Sequence, residues 1–464
     1  MNDIAVKAAP ARGQGSFLLK IVLLGGLWVG LLIPLFQLRS VVTERTGLAE
    51  SVVDEIGNSW GGSQLVTGPF LAVPLRRTLV VRESGPNNEK IVQHSIEWIT
   101  FLPKTLHVDG ALATEIRHRG IFEAAVYRAD LHLEGSFERP DPGAVCSLEN
   151  AEILWQDATL TFAVSDLRGL RSQLDFDWNG RKLELAPMPS PHAGTLDQPT
   201  LGTRIALDPP NGGLFHFDLK LAINGSRDLR FLPIGRETTV ALRSAWRTPS
   251  FAGAFLPDNR TVDATGFRAD WSIPFFARSY PQAFGGSYAQ ENLLSSAFGV
   301  ALLLPVDTYQ KSDRSLKYGG LFVLLTFLTF FLFEIFDGRR LHPIQYLLVG
   351  FAMSIFYLLL LSLGEHLPFR LAYLIAAAVT LLIAGYARAI LGSRRGSVGL
   401  LAVLTVLYAF LCVLLESEDY ALLVGSLALF GVLALVMYLT RHVDWHSSSP
   451  RLEEAGPEPK PTDG

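Results

Sequence analysis

The longest-range pattern in this chain is a set of apolar stretches, one near the N-terminus and five in the C-terminal third. Each is long enough to cross a bilayer as a helix, which takes about 20 residues for roughly 30 Å of hydrocarbon. A backbone in lipid must satisfy its own hydrogen bonds, so the pattern predicts helices and not strands. The predicted transmembrane helices cover residues 16–38, 318–337, 344–363, 371–391, 397–415 and 420–440.

Charged residues at the ends of these stretches predict the orientation of the chain. Cytoplasmic loops of membrane proteins carry an excess of lysine and arginine. Arg339 and Arg340 follow the second stretch and Arg441 follows the sixth, whereas Glu416 and Glu418 follow the fifth. This alternation predicts that both termini are cytoplasmic. The first stretch is too long for a cleaved signal peptide and no small-residue cleavage site follows it, so we interpret it as a signal anchor.

The predicted organisation is a membrane protein of mixed α and β structure with one large exported insert. Its parts are a cytoplasmic N-terminus at 1–15, a transmembrane anchor at 16–38, an exported β-rich domain at 39–317, a five-helix transmembrane bundle at 318–440 and a cytoplasmic tail at 441–464. The end of the tail is rich in Ser, Pro and Glu, a composition that buries too little apolar surface to fold. Apolar residues recur at helical spacing just after the anchor, which predicts an amphipathic helix of about 18 residues at the start of the exported domain.

Alternation of apolar and polar residues predicts strands through most of the exported domain. Residues 125–137 alternate almost without exception, which indicates a strand with one solvated face. Other alternating runs lead into Asn179-Gly180 and Asn224-Gly225, and Asn-Gly beside such runs is a strong signal for a β-hairpin. Strands joined by tight turns form antiparallel sheets. The domain is therefore predicted to be an antiparallel sandwich or one long twisted sheet.

The junction before the second apolar stretch has a pattern of its own. Asp307 and Gln310 have the spacing of a helix N-cap and its reciprocal partner, so a helix is predicted to start at Thr308 and run unbroken into the membrane. Gly319-Gly320 is its expected weak point. A stiff joint of this kind would couple the exported domain to the bundle. The residues of this predicted coupling joint are Asp307, Gln310, Lys311, Arg314 and Lys317, and the positive charges among them are tolerated because long domains are exported regardless.

Composition narrows the classes of function. Charged residues make up 18% of the 464 positions and the net charge is −4. Soluble domains carry about 25% charged residues, so the chain as a whole leans towards lipid. A near-neutral balance without a basic surface argues against nucleic-acid binding. Cys146 and Cys412 fall on opposite sides of the predicted membrane boundary, so they cannot form a disulfide framework.

One dense charged segment is the candidate binding site. Glu115, Arg117 and Arg119 lie close together in the segment 115–120, and the two arginines would suit an anionic ligand. The alternative interpretation is a solvated loop between strands. No catalytic motif accompanies the segment, and the sequence predicts neither a cofactor nor a metal site.

Histidines and acids inside helices give weaker signals. His132 and His216 lie on the polar faces of predicted strands, where we interpret them as solvated surface. His442 and His446 have the i, i+4 spacing that can hold a metal on a helix, although cations also collect at helix ends for reasons of the helix dipole. Glu334 lies at the predicted cytoplasmic end of the second stretch, where headgroup water would reach it. That position argues against an ion pathway through the membrane.

Short motifs spread over nearly the whole chain carry a family resemblance. They include Ser59-Trp60-Gly61-Gly62, Gly68-Pro69, Leu102-Pro103, Arg119-Gly120-Ile121-Phe122, Pro249-Ser250-Phe251 and His342-Pro343-Ile344-Gln345-Tyr346. In this order they resemble the CreD family of inner-membrane proteins of Gram-negative bacteria. The resemblance implies that the exported compartment is the periplasm. It also implies a role in cell-envelope integrity and stress response, with expression tied to a two-component regulatory system, and it supplies no catalytic residues.

The expected function is therefore that of a non-catalytic inner-membrane protein whose periplasmic domain binds or senses an envelope component. Its expected partners are the lipid bilayer and a periplasmic ligand or protein, and no nucleic acid. Two alternatives stay open. A transporter of an envelope component would need a polar cavity at the membrane midplane. A membrane enzyme acting on lipid or peptidoglycan precursors would need carboxylates and hydrogen-bond donors that converge in a cleft.

Overall fold

The computed structural model describes residues 14–82, 90–171, 174–188, 198–207, 213–285, 290–304, 308–337, 341–384, 394–417 and 420–441. The chain divides into two compact units. The helical unit comprises Met1–Gly47 and Val306–Gly464, and the β unit comprises Leu48–Pro305.

Long apolar helices dominate the helical unit. The described helices of the chain are α1 (Gln14–Ser59), α2 (Gln290–Leu294), α3 (Thr308–Asp337), α4 (Pro343–Gly364), α5 (Phe369–Ala384), α6 (Arg394–Glu416) and α7 (Ala421–Thr440). Four of them, α1, α3, α4 and α7, are long and apolar enough to cross a membrane, judged by length and composition. Helices α5 and α6 contain the shorter apolar helical stretches Phe369–Leu382 and Leu401–Glu416. The number of spans thus stays a prediction, whereas the combination of apolar helices with a large β-rich unit is established.

Helix α1 differs from its predicted form. The sequence pattern predicts an anchor at residues 16–38 followed by a separate amphipathic helix, but a single helix of 46 residues covers both. Residues 39–56 contain no proline and one glycine, Gly47. A single glycine costs a helix only about 1 kcal/mol, so nothing in this segment ends the helix.

Helix α3 runs without a break for 30 residues from Thr308 to Asp337, so the predicted continuous helix is confirmed. Its exact first residue stays a prediction, because residues 305–307 lie outside the described part of the chain. Gly319-Gly320 was the expected weak point of this helix, but Gly320 instead forms a contact with α1. A Cβ atom at Gly320 would lie 2.9 Å from Cδ2 of Leu32 on α1, and the indole Nε1 of Trp28 donates to the carbonyl of Gly320 at 2.8 Å. Small residues let two helices approach closely, so Gly320 allows α3 to pack closely against α1.

Two sheets make up the β unit. In chain order the strands are β1 (Gln64–Arg82), β2 (Lys90–Phe101), β3 (Thr105–Arg119), β4 (Phe122–Phe137), β5 (Ala151–Ile153), β6 (Ala158–Val164), β7 (Asp175–Trp178), β8 (Arg181–Leu183), β9 (Ala186–Pro187), β10 (Thr200–Ile205), β11 (Phe215–Ser226), β12 (Asp228–Phe231), β13 (Glu237–Ser244), β14 (Pro249–Gly253), β15 (Asn259–Asp263), β16 (Gly266–Pro274), β17 (Ala283–Gly285) and β18 (Phe298–Leu302). The first sheet has the order β14-β18-β12-β1-β6-β10-β9, with β2 and β5 also paired to β1 and β17 paired to β2. The second sheet has the order β15-β16-β13-β3-β4-β11-β7-β8.

One hydrophobic core joins the two sheets. Leu71 and Val73 of β1 are fully buried in the same cluster as Leu131 and Leu133 of β4, which belong to the other sheet. Along β4, from Arg128 to Glu134, the apolar residues are buried and the polar residues between them are at least partly exposed. The predicted alternatives were a sandwich and one long twisted sheet, and the structure has the sandwich.

The prediction of purely antiparallel sheets is wrong at two places. Strand β3 pairs in parallel with β13, from Thr105 opposite Glu237 to Leu112 opposite Ser244. A shorter parallel pairing joins β1 to β12. Parallel neighbours require a long crossover, and here the intervening strands supply it. Local turn signals carry no information about such distant partners.

The two predicted Asn-Gly turns have different outcomes. Asn179-Gly180 joins β7 to β8 with positive φ at both residues, 51° and 79°, so this hairpin is confirmed. Asn224-Gly225 instead lies inside β11, and the chain leaves the strand at Arg227, where φ is 62°. Gly225 serves packing there, because it lies opposite Tyr127 of β4 in the sheet.

We predict that Gly225→Ala destabilises the protein by about 1–3 kcal/mol through overpacking. A Cβ atom at Gly225 would overlap the phenol ring of Tyr127, which is fully buried and donates to the carbonyl of Asp228 at 2.7 Å. The measurement is the thermal unfolding midpoint of the full chain in detergent. Gly213→Ala is the matched control, because a Cβ atom there meets nothing within 4 Å. Equal midpoints for the two variants would contradict the packing role of Gly225.

Candidate functional site

The predicted charged segment is the tip of the long hairpin formed by β3 and β4. Glu115, Arg117 and Arg119 alternate along β3, so their side chains share one exposed face of the strand. Gly120 closes the hairpin with a φ of 63°. The alternative interpretation of a loop is thus wrong for these three residues, since they belong to the strand.

Both arginines of this segment have acidic partners in the β unit. Arg119 pairs with Glu55 of α1, with Nη1 to Oε2 at 2.5 Å, and Arg117 pairs with Glu115. The hydrogen bond to Glu55, together with its negative charge, raises the pKa of Arg119 above its usual value. Arg227 at the end of β11 pairs similarly with Asp54 of α1. Much of the positive charge that suggested an anion site is therefore neutralised within the chain.

An aromatic residue extends the surface beyond the predicted segment. The guanidinium of Arg117 lies 4.4 Å from the ring centre of Trp60, and that of Arg171 lies 5.2 Å from the same ring. The indole Nε1 donates to the carbonyl of Tyr127 at 3.3 Å, which fixes the orientation of the ring. We call the surface formed by Trp60, Arg117 and Arg171 the Trp60 surface.

Arg171 differs from its neighbours in its charge balance. Within the described part of the chain, no carboxylate lies at ion-pair distance from it, and its side chain is exposed. The sequence analysis missed Arg171 and Trp60 because they are far from residues 115–119 along the chain. Only the Ser59-Trp60-Gly61-Gly62 motif marked this place in the sequence.

Tight turns hold the Trp60 surface in place. The chain leaves α1 through Gly61 and Gly62, whose φ values are 109° and 62°, a region that side chains disfavour. Gln64 is 1% exposed, and its Nε2 donates to the carbonyls of Gly61 at 2.7 Å and Asp166 at 3.2 Å. The same side chain thus ties the turn before β1 to the loop that leads to Arg171. Such a buried, satisfied amide rigidifies the surroundings of the site.

The Trp60 surface is suited to binding anions. Guanidinium groups donate in a planar fork that matches carboxylates and phosphates, and they also stack on aromatic rings. They do not coordinate metals. The nearby carboxylates of Glu115 and Glu55 already pair with Arg117 and Arg119. Arg171 is therefore the cation of this surface that can still pair with an added anion.

Four residues of the predicted coupling joint, Gln310, Lys311, Arg314 and Lys317, lie in the first turns of α3. Lys317 pairs with Asp313 at 2.7 Å, and Asp313 also accepts from Arg39 of α1 at 3.0 Å. Nζ of Lys311 lies 5.3 Å from the ring centre of Phe369 on α5. These contacts attach the start of α3 to two other helices of the helical unit. Asp307 falls outside the described residues, so its cap with Gln310 and the coupling role of Gln310, Lys311, Arg314 and Lys317 stay predictions.

A second charged cluster, in the helical unit, was missed by the sequence analysis. Lys20 of α1 pairs with Glu334 of α3 and donates to the carbonyl of Leu341 at 2.9 Å. The hydroxyl of Tyr346 on α4 donates to the other oxygen of Glu334 at 3.2 Å. The side chains of Lys20 and Glu334 are 19% and 12% exposed, so most of the Glu334 side chain is enclosed by protein. The predicted histidine pair, His442 and His446, lies outside the described residues.

Comparisons with known proteins give one consistent family match. The family model described as Inner membrane protein CreD matches residues 16–446. The chain is 36% identical over 437 residues to Inner membrane protein CreD of Escherichia coli (strain K12), which covers 93% of this chain and 94% of that protein. Among solved structures, a putative nutrient binding protein from Legionella pneumophila aligns with a TM-score of 0.23 at 7% identity, covering 40% of this chain and 68% of the other. A similarity this low carries no argument about fold or function.

We predict that Trp60→Ala lowers the free energy of unfolding by about 1–2 kcal/mol, because two arginines lose a cation–π partner. The exposed hairpin tip should then be cut faster by trypsin after Arg117 and Arg119. Thermal unfolding and limited proteolysis of the full chain in detergent measure both effects. Trp60→Phe is the matched variant, since it keeps an aromatic ring, and it should fall between wild type and alanine. Identical behaviour of all three proteins would contradict a role for the ring in holding the arginines.

We predict that Lys20→Met destabilises the helical unit by about 3 kcal/mol, because it leaves the Glu334 carboxylate enclosed without its cation. The double variant Lys20→Met/Glu334→Gln should recover most of this loss, since it removes both charges. Thermal unfolding of the purified full chain in lipid nanodiscs provides the comparison. A double variant that is less stable than Lys20→Met would show that the two residues do not act as a pair.

Proposed function

Because the chain belongs to the CreD family of inner membrane proteins, we propose that it is a non-catalytic cell-envelope integrity and stress-response protein that binds an anionic envelope component at the Trp60 surface. In this proposal the β unit lies in the periplasm. The bound component would be a lipid phosphate, a glycan carboxylate or an acidic protein segment. All three present anionic oxygens that a guanidinium group can bind with two parallel hydrogen bonds.

The proposed topology has six transmembrane helices with both termini in the cytoplasm. Helices α1, α3, α4 and α7 have the length and composition for a full span. Residues 371–391 and 397–415 are apolar over nearly their whole length in the sequence, which supports two further spans at α5 and α6. The arginines after the second and sixth stretches support the orientation. An accessibility map of engineered cysteines in intact and opened cells would test it.

The observation that carries the binding proposal is the pairing state of the arginines. Arg119 and Arg227 have acidic partners from α1, and Arg117 has Glu115. Arg171 is held over the same indole as Arg117, yet no described carboxylate neutralises it. An exposed cation that is oriented by stacking loses little side-chain freedom when an anion binds, which favours binding.

The side chains around Trp60 support binding and not catalysis. They are guanidinium groups, an indole and carboxylates that are already engaged in ion pairs. Catalysis by acids and bases needs a titratable group positioned beside the reacting atoms. The charged cluster of Lys20 and Glu334 lies near the ends of α1 and α3 and not at their middle. That position supports a structural role in which the pair holds α1 against α3, and it gives no support to a transport pathway.

We predict that Arg171→Ala removes the protective function in cells. The strain lacks its own copy and carries the full-length gene, and survival under β-lactam stress is scored. Arg171→Ala should behave as the empty strain, and Arg171→Lys should retain part of the protection because the charge remains. The matched control is Arg260→Ala, because Arg260 also lies over an aromatic ring, 5.9 Å from the centre of Phe251, at another place in the β unit.

Membrane levels of every variant are checked by immunoblot, so that loss of protein is separated from loss of binding. Replacing Arg171 by a photoreactive phenylalanine in living cells would then identify the bound component. Full protection by Arg171→Ala at normal protein levels would refute the Trp60 surface as the binding site.

A further inference from the structure

A mixed cluster of metal-binding side chains lies on the solvated face of the second sheet. Nε2 or Nδ1 of His132, a carboxylate oxygen of Glu134 and a carboxylate oxygen of Asp218 all lie within 4.8 Å of one another. His132 and Glu134 are two positions apart on β4, and Asp218 is on the neighbouring strand β11. The cluster thus offers one imidazole and two carboxylates from two adjoining strands.

The sheet itself holds these three donors in place. Asp218 lies directly opposite Glu134 in the ladder, and the imidazole of His132 is already within 2.7 Å of Oδ2 of Asp218. Strands β4 and β11 pair over twelve residues, from Phe215 to Ser226, in the middle of the eight-stranded sheet. Donors placed on paired central strands are held more rigidly than donors on loops. Their donor atoms therefore start within 4.8 Å of one another on a backbone that the sheet holds in place.

The charges of the ladder favour a cation at this place. Asp177 on β7, Asp218 on β11 and Glu134 on β4 stand side by side across three strands. Like charges directly opposite each other destabilise a sheet. Lys182 lies opposite Asp177 but bonds to Asp175 at 2.8 Å, and Lys220 lies opposite His132. No described lysine or arginine forms an ion pair with Glu134 or Asp218. A divalent ion between Glu134 and Asp218 would remove their repulsion.

We infer that His132, Glu134 and Asp218 form a binding site for a divalent transition-metal ion of the Zn²⁺ class. One nitrogen and two oxygen donors suit zinc, whereas calcium and magnesium prefer oxygen donors alone. Zinc bonds of about 2.0–2.2 Å require the donor atoms to close in from their present spacing. Water completes the coordination, because the three side chains lie on an exposed face. The inference departs from the sequence analysis, which interpreted His132 as solvated surface.

The test measures zinc binding by the full chain in lipid nanodiscs, by competition with a fluorescent zinc indicator. Wild type should bind one Zn²⁺ per chain at the site. His132→Ala and Asp218→Asn should each weaken this binding roughly tenfold or more, because each removes one of three ligands. His94→Ala is the matched control, because His94 is an exposed strand histidine elsewhere in the β unit, bonded to Thr78 at 3.3 Å. It should bind as wild type does.

Cobalt substitution gives a readout that depends on coordination itself. The visible absorption of Co²⁺ bound to wild type should change in His132→Ala, and a thermal midpoint close to that of wild type would show that Asp218→Asn is folded. The inference is overturned if wild type shows no saturable zinc binding. It is equally overturned if His132→Ala and Asp218→Asn bind as wild type, or if binding is lost only in His442→Ala/His446→Ala, which would place the ion in the tail.

Discussion

Charge pairing along α1 connects this helix to neighbouring elements in both units. Lys20 is an enclosed charge, and it needs an opposite charge nearby because a buried charge without a partner is costly. Arg39 and Glu55 are exposed, so their ion pairs orient neighbouring side chains but add little stability. In the helical unit, Lys20 pairs with Glu334 and Arg39 with Asp313. In the β unit, Glu55 pairs with Arg119. One helix therefore supplies ionic partners to α3 in the first unit and to the β3–β4 hairpin in the second.

The same charge pairing determines where free positive charge remains. Because Glu55 of α1 pairs with Arg119 and Glu115 pairs with Arg117, both arginines that the sequence suggests for an anion already have acidic partners. Arg171 receives no such partner from α1, yet Trp60 orients it. The proposed binding surface is thus a consequence of which arginines lack an acidic partner. Counting arginines along the sequence cannot show this, since the partner of Arg119 comes from a segment more than fifty residues away.

The sequence predicts those features that depend on neighbouring residues. The strand at 125–137, the Asn179-Gly180 hairpin and the unbroken course of α3 all follow from local periodicity or turn chemistry, and the structure contains them. The predicted turn at Asn224-Gly225 is wrong, because Gly225 lies within a strand and makes room for Tyr127 of the neighbouring strand. The parallel pairing of β3 with β13 and the Lys20–Glu334 pair also depend on residues distant in sequence. Glu115, Arg117 and Arg119 stay a predicted site, and neither their strand conformation nor their ionic partners were predictable from spacing.

The length of the β3–β4 hairpin separates the two proposed sites on one face of one sheet. Arg117 lies opposite Ala124 at the tip, and His132 lies opposite Asp109 further along the same pair of strands. About eight residue steps of roughly 3.4 Å, or ~27 Å, lie between Arg117 and Asp109 along β3. An ion at His132 therefore cannot touch a ligand at Trp60, and any effect of one on the other must pass through the strands themselves. Because central paired strands deform little, the two sites should bind independently. The proposed metal site thus depends on the charges of neighbouring strands in the sheet, whereas the Trp60 surface depends on the contacts between α1 and that sheet.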